Sequence, residues 1–380
     1  MKPLCMHPWA GIDIMATGEI LPCCRFVNEE SKKFNITKNT ISEYLSSSFL
    51  KNLKAQMYGD VLPAGCIQCT TEENNNIKSK RQLDYLRWKK HFDSYTEDKG
   101  IIVVSIAFGN ICNLKCIMCG PGPSSRWRKE YKDVYGVDTP NLEVFENIDV
   151  NVVYDNMPNA VHFDVHGGEP FLSEIEKQKS VLKKYIDSGK SKNISLHYIT
   201  NAQQTPAEEF WELWQNFKEV EISLSIDGIF DRFEYIRFPG KHDKLDTVVD
   251  FFVKKEQEID NIKLSVSHTV SAYNVYYLEE FFNWCKSKGL PSPYCAKVYS
   301  PKQLQPSIYP KRIKDLIVEK LRKGKHIDII RWSKLMYEED NSDHFQNFLL
   351  YTNRHDLYRG TNFAKTFPEL EDFYRLCKTC

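Results

Sequence analysis

Short apolar runs alternate with helical patterns between residues 101 and 299. Six of these runs, rich in β-branched and aromatic residues, predict strands at Ile101–Phe108, Ala160–Val165, Ile194–Ile199, Val220–Ile226, Ile262–His268 and Tyr294–Tyr299. In most of the gaps, apolar residues recur at three- and four-residue spacing, which predicts amphipathic helices. Strands that alternate with helices indicate an α/β fold with a parallel sheet, and six such units predict a partial (β/α)6 TIM-like barrel.

The flanks of this region follow other patterns. Residues 1–95 lack the alternation and are predicted to form a small cysteine-rich metal-binding module, in which Ile41, Tyr44, Phe49 and Leu53 predict one helix that ends at Gly59. Apolar spacing beyond Pro310 predicts a helical C-terminal region. The predicted domains are therefore 1–95 (module), 96–305 (barrel) and 306–380 (helical extension).

Composition narrows the possible partners. The 380 residues carry 51 basic and 51 acidic side chains, and a neutral balance argues against a nucleic-acid partner. Lys78–Arg81 is interpreted as a solvated helix face. No run reaches the roughly 18 to 20 apolar residues of a membrane helix, and no signal-peptide core can be drawn. We therefore expect a cytoplasmic protein without a membrane partner, where twelve cysteines suggest metal ligands rather than disulfides.

Three cysteines stand directly after the first predicted barrel strand. Cys112, Cys116 and Cys119 lie within eight residues of one another. A structural zinc site needs four ligands, so a zinc ribbon would have to be completed by a histidine such as His162 or His166. A [4Fe–4S] cluster on three thiolates instead leaves one iron open to another ligand. An open iron beside a strand end is a catalytic arrangement.

The segment Ile111-Cys-Asn-Leu-Lys-Cys-Ile-Met-Cys119 resembles the Cys-x3-Cys-x2-Cys signature of the radical SAM enzymes. Met118 stands where that family usually has an aromatic residue. The resemblance implies that S-adenosylmethionine (SAM) chelates the open iron. One electron then cleaves SAM to methionine and a 5′-deoxyadenosyl radical, which abstracts hydrogen from a substrate.

Later segments resemble further motifs of that family at successive strand ends. They are Gly167-Gly-Glu-Pro170, Thr200-Asn201, Ser225-Ile-Asp-Gly228 and Tyr235-Ile-Arg237. The resemblance implies that SAM is bound by Gly167, Gly168, Glu169, Thr200, Ser225 and Arg237. His166, just before the glycines, is interpreted either as a substrate or SAM contact or as a structural residue.

A second group of cysteines precedes the predicted barrel. Cys5, the segment Gly18-x4-Cys23 and the pair Cys66-x-x-Cys69 resemble the four-cysteine auxiliary-cluster module called the Twitch domain, a short form of the SPASM domain. That module usually follows the barrel, so its place here is permuted. The resemblance implies a second [4Fe–4S] cluster, whereas the ligands alone are equally typical of structural zinc. Cys24 is interpreted as a bystander, and His7 as a packing residue.

The expected reaction follows from this pair of clusters. A fully ligated auxiliary cluster favours a role as electron acceptor, so we expect a net oxidation of a small polar molecule such as a sugar or amino-sugar derivative. A radical SAM maturase of a peptide or protein is the alternative, and a non-catalytic zinc-knuckle binding protein is a third. Flavodoxin or ferredoxin is the expected electron donor. The general acid or base stays open among Asp227, Glu234, His197 and His268, as do the roles of Cys285, Cys295, Cys377 and Cys380 and the oligomeric state.

Overall fold

The structure is a computed structural model that describes residues 3–74, 78–139, 149, 151–338 and 340–372. Cys377 and Cys380 lie outside the described residues. The chain divides into two compact units, one of residues 1–111, 141–199 and 206–221, the other of residues 112–140, 200–205 and 222–380. Among the described residues, no helix has the length and apolar character needed to cross a bilayer.

The first unit contains the amino-terminal segment and the first strands of the sheet. Its helices are α1 (His7–Ala10), α2 (Ile41–Ser46), α3 (Ser48–Gln56), α4 (Ile67–Asn74), α5 (Lys80–Arg87), α6 (Lys89–Asp93), α8 (Asn151–Asn156), α9 (Ile175–Asp187) and α10 (Glu208–Trp214), and α7 belongs to the second unit. Its strands are β1 (Gly11–Ile14), β2 (Ile20–Leu21), β3 (Val103–Ala107), β4 (His162–His166) and β5 (Ser195–Thr200), followed by the start of β6 (Glu219–Ser225).

The strands of this unit follow the order β2-β1-β3-β4-β5-β6. Strand β2 is antiparallel to β1, whereas β1 is parallel to β3 and pairs Gly11 with Val103. Strand β3 in turn is parallel to β4, and β4 to β5. The cysteine-rich segment therefore contributes two strands, β1 and β2, to the sheet, which the sequence analysis did not predict.

The second unit begins with the three-cysteine loop and holds the rest of the sheet. Its helices are α7 (Trp127–Tyr135), α11 (Phe230–Ile236), α12 (His242–Glu258), α13 (Leu278–Ser287), α14 (Lys311–Arg322), α15 (Ile327–Glu338), α16 (Phe345–Arg359) and α17 (Phe363–Thr366). The end of β6 is followed in the sheet by β7 (Ile262–Val270) and β8 (Tyr294–Lys297), and β7 is parallel to β8.

The predicted α/β class is confirmed. Strands β3 to β8 coincide with the six predicted strands, and α14 to α17 form the predicted helical C-terminal region. The helix predicted to end at Gly59 is instead two helices, because the Ser47 hydroxyl accepts a hydrogen bond from the Leu50 amide and starts α3 anew. The domain boundaries at residues 95 and 305 stay a prediction.

Each unit has an aromatic core of its own. In the first unit, Phe171, Tyr198 and Trp214 pack together between the sheet and helices α9 and α10. In the second, the rings of Tyr235 and Tyr273 pack against Phe367. Buried aromatic rings contribute the largest apolar areas, so these clusters hold the strand ends in place.

Candidate iron–sulfur sites

The four amino-terminal cysteines line one pocket of the first unit. Cys5, Cys23, Cys66 and Cys69 all contribute to its wall. The sequence grouped these residues from motifs spread over more than sixty positions, and the structure brings them together. The lining also includes the basic side chains of Arg25, Lys80 and Arg81.

Two glycines let the backbone make this pocket. Gly18 has φ 81°, a left-handed conformation that glycine adopts without strain, and it forms the turn between β1 and β2 that leads to Cys23. Gly65 lies against the Phe26 ring, where a Cβ would be 2.5 Å from the ring carbons. The Val27 amide donates to the Gly65 carbonyl at 3.0 Å, which places the chain after Cys23 beside Cys66.

The pocket is electrostatically suited to a bound cation or cluster. Burial raises the pKa of the Cys5 thiol to about 12, and the neighbouring thiols of Cys66 and Cys69 raise it further. Burial likewise raises the pKa of Cys66 to about 11. Clustered buried thiols lose their protons readily to a metal, because the metal places positive charge directly at the sulfurs.

The three-cysteine loop belongs to the second unit and is fixed by its backbone. The Lys115 amide donates to the Phe238 carbonyl at 2.7 Å, and the Ile117 amide donates to the Ile236 carbonyl at 2.7 Å. Cys116 is buried, whereas Cys112 and Cys119 are half-buried. Cys116 and Cys119 share a hydrogen bond that raises the pKa of the first thiol and lowers that of the second.

Helical side chains of the same unit hold the carbonyls of the loop. The Trp127 indole on α7 donates to the Cys116 carbonyl at 3.0 Å. The Tyr351 hydroxyl on α16 donates to the Ile117 carbonyl at 2.8 Å. The C-terminal region therefore contributes directly to the conformation of the loop, a role that the sequence did not reveal.

Polar side chains from later strand ends reach the cysteines. The Asn201 amide group donates to Asn113 Oδ1 at 2.7 Å and lies 3.7 Å from Cys112 Sγ. Arg237 Nη1 lies 4.0 Å from Cys116 Sγ, and its Nη2 lies 2.6 Å from Asp227 Oδ2. Both contacts place N–H donors near sulfur, which stabilises thiolate charge.

Thr200 and Ser225, two further predicted SAM-binding residues of this unit, lie close in sequence to Asn201 and Asp227 respectively. Thr200 is buried, and its hydroxyl oxygen accepts a hydrogen bond from the Ala202 amide at 3.3 Å. Ser225 is half-buried at the C-terminal end of β6. Their predicted roles toward SAM stay predictions, as does that of Arg237, whose guanidinium is engaged by Asp227.

The paired glycines lie at the end of β4 in the first unit. Gly167 has φ 108°, and a Cβ at Gly168 would lie 2.2 Å from the Ile111 carbonyl oxygen. The Gly168 amide donates to the Gly109 carbonyl at 3.1 Å, and the Glu169 amide donates to that of Ile111 at 2.8 Å. Only glycine permits this approach, and it fixes the segment that leads into Cys112.

Glu169 and His166 flank the glycines. Glu169 is fully buried, and its carboxylate accepts a hydrogen bond from the Phe171 amide at 3.2 Å. His166 Nε2 lies 2.9 Å from Ser105 Oγ and 3.1 Å from Asp13 Oδ1. The histidine thus joins the cysteine-rich segment, through β1, to the strand that carries the glycines.

Residues 5–70 match the family model of SPASM, described as an iron-sulfur cluster-binding domain. This match covers all four cysteines of the pocket. The segment is a SPASM iron–sulfur domain. The predicted auxiliary module is thereby confirmed, and the pocket of Cys5, Cys23, Cys66 and Cys69 lies within the matched residues. That these four cysteines bind the cluster stays a prediction.

Solved structures also resemble the chain. SuiB of Streptococcus suis bound to S-adenosylmethionine has 14% sequence identity, 70% coverage of this chain, 51% coverage of its own and a TM-score of 0.38. AnSMEcpe with bound AdoMet has 19% identity, 58% coverage of each chain and a TM-score of 0.41. The chain thus spans 51% to 58% of the length of these two proteins. No curated protein matches the chain.

Lys78–Arg81 is interpreted from the sequence as a solvated helix face, whereas the structure places two of these residues in the wall of a pocket. Lys80 and Arg81 on α5 line the pocket of the four cysteines, where their positive charge would offset the negative charge of a thiolate-ligated cluster. Nearby, His7 Nε2 is bound to Asp84 Oδ2 at 2.8 Å, which agrees with a packing role for this histidine. The sequence did offer one signal for this role, because two basic residues begin the helix that follows the Cys-x-x-Cys motif.

Proposed function

We propose that this chain is a radical SAM enzyme whose SPASM domain precedes the catalytic barrel in the sequence. The three-thiol loop of Cys112, Cys116 and Cys119 carries the proposal. A [4Fe–4S] cluster held there would supply an open iron for SAM and the electron that cleaves it. The protein's own residues position the thiols and shape their charge.

The support begins with the rigidity of the loop. Its amides and carbonyls are held by residues of α11, α7 and α16, so the thiols need little rearrangement to meet a cluster. Asn201 and Arg237 place N–H groups near Cys112 and Cys116. Such donors stabilise the added negative charge of a reduced cluster.

The paired glycines give independent support. Gly167 and Gly168 leave backbone amides without side chains at the end of β4, directly beside the segment that precedes Cys112. A carboxylate at Glu169 suits an ammonium group such as that of SAM. We infer that Gly167, Gly168 and Glu169 hold the aminoacyl end of SAM. The contacts of Thr200, Ser225 and Arg237 with SAM stay predictions from the sequence.

The SPASM domain favours an oxidation as the overall reaction. Four cysteines saturate a cubane, so the auxiliary cluster serves as an electron acceptor and not as a substrate ligand. Hydrogen abstraction followed by electron transfer to that cluster is a net two-electron oxidation. We propose a small polar substrate, such as a sugar or amino-sugar derivative, and an external donor of the flavodoxin or ferredoxin type.

Anaerobic reconstitution tests the activity. We expect about eight irons per chain and release of 5′-deoxyadenosine from SAM with dithionite. Cys116→Ala should abolish this release, whereas the exposed Cys24→Ala should retain it. Cys69→Ala should lose about half of the iron and still cleave SAM. A chain that binds no iron would overturn the proposal in favour of a zinc-knuckle binding protein.

A size-fractionated extract tests the substrate class. The reconstituted enzyme is incubated with SAM, reductant and either a fraction below about 1 kDa or a peptide fraction. The proposal expects the small-molecule fraction to stimulate 5′-deoxyadenosine release. Stimulation by the peptide fraction alone would replace it with a peptide maturase.

A further inference from the structure

A second group of metal-ligating side chains lies in the first unit, apart from the cysteines. His162 Nε2 is 3.1 Å from Asp164 Oδ1, and His197 Nδ1 is 2.7 Å from the same oxygen. All three ligand atoms lie within 4.8 Å of one another. Among the described residues, no other group of three His, Cys, Asp or Glu side chains meets that limit.

The sheet itself creates this group. His162 and Asp164 are two residues apart on β4, so their side chains project from the same face. Asp164 pairs in register with His197 on the neighbouring parallel strand β5. The three side chains are therefore fixed by strand pairing and not by a mobile loop, which favours a preformed site.

Two imidazole nitrogens and one carboxylate oxygen are a typical ligand set for zinc. Zinc binds histidine nitrogen and carboxylate oxygen at about 2.0 to 2.2 Å, so ligand atoms around a tetrahedral ion lie about 3.3 Å apart. The separations of 2.7 and 3.1 Å would have to widen by about 0.6 and 0.2 Å. Three protein ligands leave a fourth position for water or substrate.

The outer ring nitrogen of His197 supports the same conclusion. The inner nitrogens, His162 Nε2 and His197 Nδ1, hydrogen-bond to Asp164 when no ion is bound. The outer nitrogens, His162 Nδ1 and His197 Nε2, are buried without a hydrogen-bond partner. An ion would take the inner nitrogens and move each proton to the outer one. His197 Nε2–H would then face Glu221 Oε1, 3.8 Å away, as in the carboxylate–histidine–metal arrangement.

Exposure of the group permits an ion to enter. His162 is enclosed, with its ring 4.9 Å from that of Trp88, whereas Asp164 and His197 each keep 16% of their side-chain surface exposed. We propose that His162, Asp164 and His197 form a zinc-type divalent-cation site with Glu221 as the outer partner of His197. This site shares no ligand with either cysteine group.

Zinc binding by the reconstituted holoprotein tests the proposal. The chain, with its iron sites filled, is washed with chelator, given one equivalent of zinc and desalted; zinc and iron are then counted, and the zinc X-ray absorption edge is recorded. We expect about one zinc per chain with nitrogen and oxygen ligands only. His197→Gln and Asp164→Asn should lower zinc retention at least ten-fold with unchanged iron, and His91→Gln on α6 is the matched control.

A milder variant guards against misfolding. Glu221→Gln leaves all three ligands in place and should weaken zinc binding about ten-fold, the usual effect of losing an outer partner. Unchanged iron content shows that each variant is folded. Absence of bound zinc, zinc with sulfur ligands, or equal retention in His197→Gln and His91→Gln would overturn the proposal and leave a hydrogen-bonded triad.

Discussion

Glu130 Oε2 lies 2.7 Å from the ammonium group of Lys115, the residue that precedes Cys116. The same buried carboxylate accepts hydrogen bonds from His355 and Arg359 of α16, each at 2.7 Å. Arg359 also donates to the Lys115 carbonyl at 2.9 Å. One carboxylate thus links the C-terminal helix to the cysteine loop of the same unit.

We predict that Glu130→Gln destabilises the protein and its loop cluster. The substitution leaves the buried guanidinium of Arg359 and the half-buried ammonium of Lys115 without their counter-charge. Loss of the partner of a buried charge costs about 3 to 5 kcal/mol in the free energy of unfolding. Thermal unfolding and iron counting measure the two effects. We expect loss of the iron bound by the loop, with the SPASM iron retained.

The matched control is Glu319→Gln on α14. Glu319 pairs with Lys323 on an exposed helix face, where water and salt screen the ion pair and its contribution to stability is small. This variant should unfold near the wild-type temperature. An equal loss of stability in both variants would contradict the special role of Glu130.

The pH dependence of stability gives a second test of this carboxylate. Burial tends to raise the pKa of Glu130, but His355, Arg359 and Lys115 outweigh it and lower the pKa to about 2. Because the folded pKa is depressed, its contribution is complete above about pH 5 and is lost as the pH falls towards 2. Unfolding of the metal-free chain between pH 6 and 3 should lose stability more steeply in the wild type than in Glu130→Gln. Parallel curves would be the contrary result.

A methyl group at Gly168 should disturb the proposed SAM-binding segment Gly167–Glu169. The Cβ of Gly168→Ala would meet the Ile111 carbonyl oxygen at 2.2 Å, and backbone cannot move aside as a flexible side chain can. We expect about 1 to 3 kcal/mol of destabilisation and a large loss of 5′-deoxyadenosine release. Gly122→Ala, where a Cβ meets nothing within 4 Å, should leave both unchanged.

Arg237 should tune the reduction potential of the loop cluster. Its guanidinium lies between Asp227 and Cys116, so Arg237→Gln removes positive charge near a thiolate and leaves buried Asp227 unpaired. We expect a lower midpoint potential for this cluster and an unchanged potential for the SPASM cluster, measured by redox titration with EPR detection. Arg237→Lys should recover most of the shift. An unchanged midpoint potential of the loop cluster in Arg237→Gln would contradict the electrostatic role of Arg237.

Sequence patterns predicted the elements whose signal is local. Strands β3 to β8 follow from short β-branched runs, and the SPASM ligands follow from Gly18 and the Cys-x-x-Cys spacing. Each strand run, and each of the two short motifs Gly18-x4-Cys23 and Cys66-x-x-Cys69, lies within a few neighbouring residues.

Long-range contacts could not be predicted from the sequence. Strand β1 holds only four residues, and its place beside β3 is set by pairing across about ninety positions. The contact of Glu130 with Arg359 spans 229 positions and joins two ordinary charged helices. The approach of Gly168 to Ile111 likewise shows only when the two strand ends are adjacent.

The binding of SAM to an open iron is tested most directly by EPR of the dithionite-reduced protein. The measurement uses Cys69→Ala, in which the signal of the loop cluster is not overlaid by an intact SPASM cluster. Added SAM should shift the g values of this signal, and Cys116→Ala should show neither the signal nor the shift. A reduced loop cluster whose spectrum is the same with and without SAM would contradict the account.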